Sequence, residues 1–372
     1  MKILFVTDLC PIERKEKLPN TLLNFIKDFT ALGHEVLLLR PNVILNVLIR
    51  KRKIIPEGVY EYSGIKSINK NFLTPFFSVN QFKFLKDKNF DIILSHMPSG
   101  ILAANKISKL LNIPYFASVH SSDITVLEDI KYFFVKNEMK KAYLEAKKVL
   151  PRSFWLKEKI EKIIPELKDN TFVIPSGIDS KLILGFDEIN SKADKFYGMP
   201  LKIFAAGSLI KRKNFQSLIT AVKDIDDIEL KIAGSGPYEK KLRTLIKKYN
   251  LKNKVKLLGQ KSNEEIYSLM DEANVFILPS YKETFGMVYL EALARGCIVV
   301  CTKNSGMSGF IKHGYNGFLT DSTPKGIKDT INEIKQIKSP ETIIKNALCT
   351  SSDMTSTKMA KNYLNIIQNI LF

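Results

Sequence analysis

The chain has 372 residues, 45 % of them hydrophobic and 26 % charged, which excludes a disordered or low-complexity protein. The length exceeds what one hydrophobic core serves, so two domains of similar size are expected. Lys and Arg outnumber Asp and Glu by 57 to 38, a formal charge of +19. That balance either favours polyanionic neighbours (phosphate-bearing substrates, anionic lipid, nucleic acid) or is a solvated lysine surplus.

The chain opens on Lys2-Ile3-Leu4-Phe5-Val6. Asp8 breaks this apolar run and no small-residue cleavage site follows, so residues 3–7 read as a first buried strand and not a signal peptide. Nowhere does an apolar stretch approach the roughly 18 residues needed to span a bilayer. Cys10, Cys297, Cys301 and Cys349 show no metal-ligand spacing and read as reduced, mostly buried thiols of a cytosolic protein. Further strands are expected at residues 36–39, 92–95, 115–119, 148–150 and 172–174, with helices near 22–32, 100–111 and 132–146. Near-continuous apolar strands separated by helices imply a parallel sheet covered on both faces. A stripe of basic and apolar residues runs from Val43 through Leu48-Ile49-Arg50-Lys51-Arg52-Lys53 to Ile55. It suits an anionic membrane surface or a lipid-phosphate acceptor, and equally a helix with a core face and a solvated basic end.

Residues 179–199 lapse into a Lys, Asp, Gly and Ser mixture that ends at Pro200 and read as a linker. The alternation then restarts. Strands are expected at 203–206, 229–233, 255–258, 275–278 and 298–301, and helices at 215–223, 238–249, 263–273 and 286–295. Two tandem doubly wound α/β domains follow. A final amphipathic helix is expected at 357–371, with Met359, Tyr363, Ile366, Ile367 and Ile370 on one face.

The densest motif is Pro279-Ser280-Tyr281-Lys282-Glu283-Thr284-Phe285-Gly286-Met287-Val288-Tyr289-Leu290-Glu291-Ala292. It begins where a strand ends and runs into a helix, at the sheet edge where open α/β folds bind ligands. The backbone N–H groups of Phe285, Gly286 and Met287 open that helix and suit a diphosphate. Glu291, about one turn in, can accept both hydrogen bonds of a vicinal diol such as ribose, and Glu283 can meet a second set of hydroxyls. A second loop joins Gly207 and Ser208 to the cations Lys211, Arg212 and Lys213, placed to open a helix and cradle phosphates. Gly234-Ser235-Gly236-Pro237 ends the next strand, but Glu239 takes the third glycine's place, so it is no dinucleotide fingerprint. Leu258-Gly259-Gln260 ends the one after. In the first half, His120 and Asp123 follow a buried strand, and His96 holds an analogous strand end. Asp224-Ile225-Asp226 mimics a metal-binding D-x-D, but falls in a helix-to-strand turn and reads as solvated acids. No other cluster has metal-ligand spacing.

These residues resemble glycosyltransferase family 4, the retaining group with the GT-B fold of two Rossmann-like domains flanking a cleft. Its hallmark E-x7-E is met by Glu283 and Glu291 in the setting E-T-F-G-M-V-x-L-E-A. The resemblance covers nearly the whole chain and is densest from Lys202 to Thr320. It implies an acceptor-binding domain over residues 1–190, a donor-binding domain over 191–352, and a helix over 353–372 crossing back to the first. By the same resemblance Glu283 contacts the donor sugar and Glu291 the nucleotide ribose. Gly207, Ser208, Arg212 and Lys213 form the donor-diphosphate loop, while Gly234 and Gln260 stand beside the nucleobase. Gly306 and the Gly314–Phe318 turn complete the pattern, the latter as structure. His120 and Asp123 match an H-x-x-D segment at the reaction centre, where His120 takes the acceptor proton or hydrogen-bonds the sugar's 6-hydroxyl. Two departures stand out. The family often has Arg where this chain has Ser208, and Gly-Gly where Pro11–Lys17 holds no glycine.

The expected reaction is transfer of a hexose-type residue from a nucleoside-diphosphate sugar to a hydroxyl of a glycan or lipid-linked acceptor, with retention. No cofactor or metal is expected. With no convincing nucleophile in the sequence, front-face displacement is favoured, the departing diphosphate helping to deprotonate the incoming hydroxyl. The expected location is the cytoplasm, with peripheral attachment to the inner membrane face left open. Rival readings are a sugar-nucleotide epimerase or hydrolase on the same frame, and a basic nucleic-acid-binding protein. No nucleic-acid partner is expected, since no binding module is recognisable and aromatics are not interleaved with basics.

Overall fold

A computed structural model describes residues 1–7, 20–43, 59–66, 72–73, 79–185 and 187–371. Cys10, the Pro11–Lys17 loop and the Arg50-Lys51-Arg52-Lys53 run lie outside the described residues. The chain divides into one unit of residues 1–175 and 359–372 and a second of residues 176–358.

The first unit holds strands β1 (Lys2–Thr7), β2 (Glu35–Val43), β3 (Val59–Lys66), β4 (Phe72–Leu73), β5 (Ile92–His96), β6 (Tyr115–Val119) and β7 (Lys148–Pro151). They form one sheet in the order β4-β3-β2-β1-β5-β6-β7, parallel throughout except for the antiparallel β3–β4 pair. Its helices are α1 (Asn20–Ala31), α2 (Met97–Leu111), α3 (Ser121–Glu128), α4 (Phe133–Leu144) and α5 (Phe154–Ile163). The strands are apolar on both faces because each face packs on helices. Leu4, Val6, Ile93, Ala117 and Val149 belong to one buried cluster, and Ile3, Phe5, Ile92, Leu94 and Phe116 to another. That second cluster is completed by Ala360, Tyr363, Leu364 and Ile367 from the last helix of the chain.

The second unit contains α6 (Glu188–Asp194), β8 (Leu201–Ala206), α7 (Phe215–Val222), β9 (Ile228–Ala233), α8 (Glu239–Lys248), β10 (Val255–Leu257), α9 (Asn263–Glu272), β11 (Val275–Leu278), α10 (Met287–Ala294), β12 (Ile298–Thr302), β13 (Phe318–Thr320), α11 (Pro324–Lys335) and α12 (Pro340–Ser352). Helix α13 (Ser356–Leu371) follows and carries the chain into the first unit's core. The second sheet is parallel, in the order β10-β9-β8-β11-β12-β13. In both sheets the strand order reverses beside the first strand, between β1 and β5 and between β8 and β11. A crevice at the carboxyl edge is generated at such a switch point.

Several expectations need correction. Residues 179–199 are not an open linker: α6 forms there, and Ile178, Ile189, Ala193 and Phe196 are buried in the second core. The division between units therefore falls after Pro175 and not after residue 190, and again after Lys358 and not after residue 352. Residues 172–174 do not form a strand. Only a single bridge joins Thr171 to Val149, and the amides of Phe172 and Ile174 reach the carbonyls of Val149 and Pro151. Cys297 and Cys301 are buried, but Cys349 is exposed.

Candidate functional site

In the second unit the loops that follow β8, β9, β10 and β11 leave the same edge of the sheet. The first three interlock through backbone. Gly207 N donates to Ala233 O at 3.0 Å, Leu209 N to Ser235 O at 2.9 Å and Gly234 N to Gly259 O at 2.7 Å. Gly234 has φ 141°, and a Cβ there would lie 1.9 Å from the carbonyl oxygen of Gly207. Only a glycine admits both that torsion and that approach. Ser208 and Gln260 are exposed on this edge, and Ser235 Oγ donates to Gln260 Oε1 at 3.4 Å.

The cations do not open a helix. Lys211–Lys213 form a 3-10 turn, Asn214 follows at φ 57°, and α7 begins only at Phe215. Asn214 Nδ2 donates to the carbonyls of Pro279 and Ser322 at 3.0 and 2.7 Å. Tyr281 N donates to Arg212 O at 2.9 Å, and Arg212 Nη1 to Lys282 O at 3.0 Å. The loops after β8 and β11 are thus tied across the switch point.

That tie brings two predicted residues together. Lys213 Nζ lies 2.5 Å from Glu283 Oε2, and Arg212 Nη1 lies 3.6 Å from Glu283 Oε1. Ser280 Oγ donates to the same carboxylate at 3.4 Å, and Glu283 is buried. Gly306 N donates to Glu283 O at 2.6 Å, holding the loop from behind. Gly286, at φ 84° and ψ 74°, caps α10 ahead of Met287, and Phe285 is buried beneath it. Glu291 lies one turn into α10. Burial pushes its carboxyl above the ordinary range, and its side chain makes no hydrogen bond or ion pair among the described residues. Tyr267, on α9, was not anticipated from sequence. Burial, with the neighbouring Glu291 and Glu264 charges, raises its phenol to about 12.

In the first unit, His96 ends β5 at the switch point, paired in register with Thr7 of β1. His120 follows β6 and precedes α3, and Arg152 follows β7, so all three stand at one sheet edge. The rings of His96 and His120 are 5.0 Å apart, and Phe5 meets His96 edge-on at 4.6 Å. His96 Nε2 is buried without a hydrogen-bond partner among the described residues, and His120 Nδ1 lies 3.8 Å from Asp123 Oδ2. Burial first, and then the Arg152 charge, lowers His96 to about 3. Burial, with His96 and Arg152 adding to it, puts His120 well below the usual histidine range. Both imidazoles are therefore neutral near pH 7. Asp123 is fully buried, and its carboxylate accepts from His120 N at 2.7 Å, fixing the start of α3. Asp224 and Asp226 lie exposed in the turn between α7 and β9. Among the described residues no group of three His, Cys, Asp or Glu is placed to hold a metal ion.

Residues 186–348 match the family model for glycosyl transferases group 1, and residues 19–182 that for glycosyltransferase family 4. An uncharacterized glycosyltransferase of Methanocaldococcus jannaschii is 29 % identical over 288 residues, 74 % of this chain and 76 % of that protein. A putative teichuronic acid biosynthesis glycosyltransferase of Bacillus subtilis is 29 % identical over 259 residues, 68 % of this chain and 63 % of that one. Among solved structures, Anabaena HepE in complex with UDP superposes with a TM-score of 0.75 at 20 % identity, covering 99 % of this chain and all (100 %) of its own. Sucrose-phosphate synthase of Thermosynechococcus elongatus does so with a TM-score of 0.73 at 17 % identity, covering 99 % and 98 %.

Proposed function

The chain belongs to glycosyltransferase family 4, the group 1 glycosyl transferases, and has their GT-B fold of two Rossmann-like domains; on that premise we propose that it is a retaining, metal-independent hexosyltransferase. In this reading it moves a sugar from a nucleoside-diphosphate donor to a hydroxyl of a glycan or lipid-linked acceptor, in the synthesis of cell-surface polysaccharide or glycolipid. The observation that carries the reading is the Lys213–Glu283 pair at the switch-point edge, with the unpartnered Glu291 carboxylate one turn into α10.

The chemistry follows from charge. Without donor, Lys213 is neutralised by Glu283. An entering diphosphate competes for the ammonium, and Arg212 and the α10 N-terminus add positive potential. Glu283, released from Lys213, then accepts hydroxyls of the sugar while Glu291 accepts both ribose hydroxyls. The C1–O bond to the diphosphate breaks, and the acceptor oxygen bonds C1 on the same face. The acceptor's proton passes to the departing diphosphate. His120, neutral at working pH, serves as a hydrogen-bonding group for the 6-hydroxyl better than as a proton store. The relative named for teichuronic acid synthesis and the HepE complex with UDP support this reading. Peripheral attachment to the inner membrane face is part of the same proposal. No helix among the described residues is long and apolar enough to cross a membrane.

Calorimetric titration with UDP, GDP and ADP, for the parent and Glu291→Gln, tests the donor assignment. One nucleotide should bind, and the variant should lose about 1.5–3 kcal/mol, the range of a hydrogen bond to a charged group. Equal binding to both proteins would remove Glu291 from the ribose. Turnover should survive EDTA, and the product should keep the donor's anomeric configuration. Donor epimerised or hydrolysed without acceptor would favour the rival enzyme reading.

A further inference from the structure

The most exposed apolar side chains among the described residues sit together on the first unit. Ile130 is 86 % exposed, Phe133 65 % and Phe134 79 %. They occupy the turn Ile130–Tyr132 and the first residues of α4. The exposure is not fraying. Asp129 Oδ1 accepts from Lys131 N at 3.0 Å, Tyr132 N donates to Asp129 O at 3.1 Å, and Tyr132 and Val135 are buried beneath the turn. The Phe133 and Phe134 rings stand edge-to-face, 5.6 Å apart. At helical spacing Val135, Met139, Ala142 and Tyr143 form the buried face of α4, leaving Phe133, Phe134, Asn137, Glu138, Lys140, Lys141 and Leu144 on the outer one.

Charge decides which partner suits this face. Lys131, Lys140 and Lys141 border the apolar residues. Of the acids nearby, Glu138 faces Lys106 on α2, and Glu145 is bound by Lys109 at 2.6 Å. Asp129 caps the turn, which leaves Glu128 and Glu138 exposed against Lys131, Lys136, Lys140 and Lys141. A rigid tip of one aliphatic and two aromatic side chains, rimmed by lysines and lying on a chain of net charge +19, has the make-up of an interfacial anchor. Phenyl rings settle at the headgroup level, and lysines meet anionic lipid above them.

We propose that the outer face of Ile130–Leu144 docks the protein on an anionic lipid bilayer. The inference rests on the membrane attachment proposed above and gives it a surface; it does not depend on the donor or the reaction.

Vesicle flotation of the full chain tests it, with phosphatidylcholine alone and with phosphatidylcholine containing phosphatidylglycerol. One variant carries Ile130→Ser, Phe133→Ser and Phe134→Ser; a second carries Lys131→Ser, Lys140→Ser and Lys141→Ser. A third carries Ser at residues 50–53 in place of Arg50, Lys51, Arg52 and Lys53. All six positions, in the turn and on α4, lie outside the core, and unchanged circular dichroism checks that each variant folds. The parent should float with anionic vesicles only, and the first two variants should lose at least about tenfold in bound fraction. If the parent floats and the triple apolar variant floats equally, the surface is wrong while membrane attachment stands, and loss in the third variant would place it at residues 50–53. No flotation of the parent removes both the surface and the attachment, and leaves sugar transfer untouched. Equal flotation on neutral vesicles overturns the anionic assignment. A lipid-free parent that is dimeric by light scattering, with the apolar variant monomeric, gives the face to a second copy of this chain and overturns the proposal.

Discussion

At the scale of single residues, burial sets the protonation of both candidate sites. In the first unit it acts on two histidines beside Arg152, and in the second on Glu291, with opposite consequences for stability. His96 takes up a proton near 6.5 when unfolded but only at about 3 when folded. Between those values the unfolded chain binds more protons, so stability is lost as pH falls from about 6.5 towards 3. His120, also lowered, adds to the loss with the same sign. Glu291 is raised, so its folded form holds the proton longer, and it costs stability as pH rises from 4.5 through its folded value. Among the described residues, Arg152, His120, Phe5, Phe25 and Tyr363 face His96. Melting should therefore shift down on going from about pH 7 to about pH 5, and His96→Gln should flatten that shift. Parallel melting curves against pH for the two proteins would show that the proton uptake lies elsewhere.

At the scale of elements, the alternation of apolar runs with amphipathic stretches was legible because buried parallel strands and half-buried helices carry different periods. Strands β1, β5, β6, β8, β9, β11 and β12 each fall within a residue or two of the expected spans. What escaped was short or mixed. Strand β13 has three residues, α11 mixes Lys, Asp and Glu with three isoleucines, and α12 opens on Pro340 with a short apolar stripe of Ile343, Ile344, Ala347 and Leu348. Helix α5 carries a readable signal, Ser153 Oγ accepting from Leu156 N at 3.2 Å, which the strand-centred reading passed over. The site was legible as residue types, but its pairing was not. Lys213 and Glu283 are 70 residues apart and meet only because β8 lies beside β11. The interlocked glycines offer a test at this scale. Gly234→Ala would place a methyl against the Gly207 carbonyl at a positive φ and should cost about 2–4 kcal/mol by urea melting. Gly259→Ala, at φ 71° with nothing within 4 Å of a new Cβ, should cost about 1–2 kcal/mol. Equal costs would mean that the two loops do not hold one another.

At the scale of the whole molecule, the chain builds the first unit twice over, from its beginning and from its last turns. Residues 1–175 make the sheet, and α13 returns Ala360, Tyr363, Leu364 and Ile367 to its core after the second unit is complete. Tyr363 also reaches the edge of that sheet that bears His96 and His120, its hydroxyl 2.9 Å from Ser118 Oγ. The first unit's core therefore stays open along one face until the final helix docks, whereas the second unit has every strand of its sheet in one continuous stretch. Ile367 is fully buried, and Ile367→Ala removes three carbons from a packed site, a change that costs about 2–5 kcal/mol. That loss belongs to the first unit alone. Hydrogen exchange should show amides of β1 and β5–β7 losing protection in Ile367→Ala, while those of β8, β9, β11 and β12 keep the parent's values. Nucleoside-diphosphate affinity should be unchanged, because every residue assigned to the nucleotide and its diphosphate lies between Gly207 and Glu291. Equal loss of protection in both sheets would mean that the two units unfold as one cooperative body, and the last helix would then stabilise the whole chain and not a single domain.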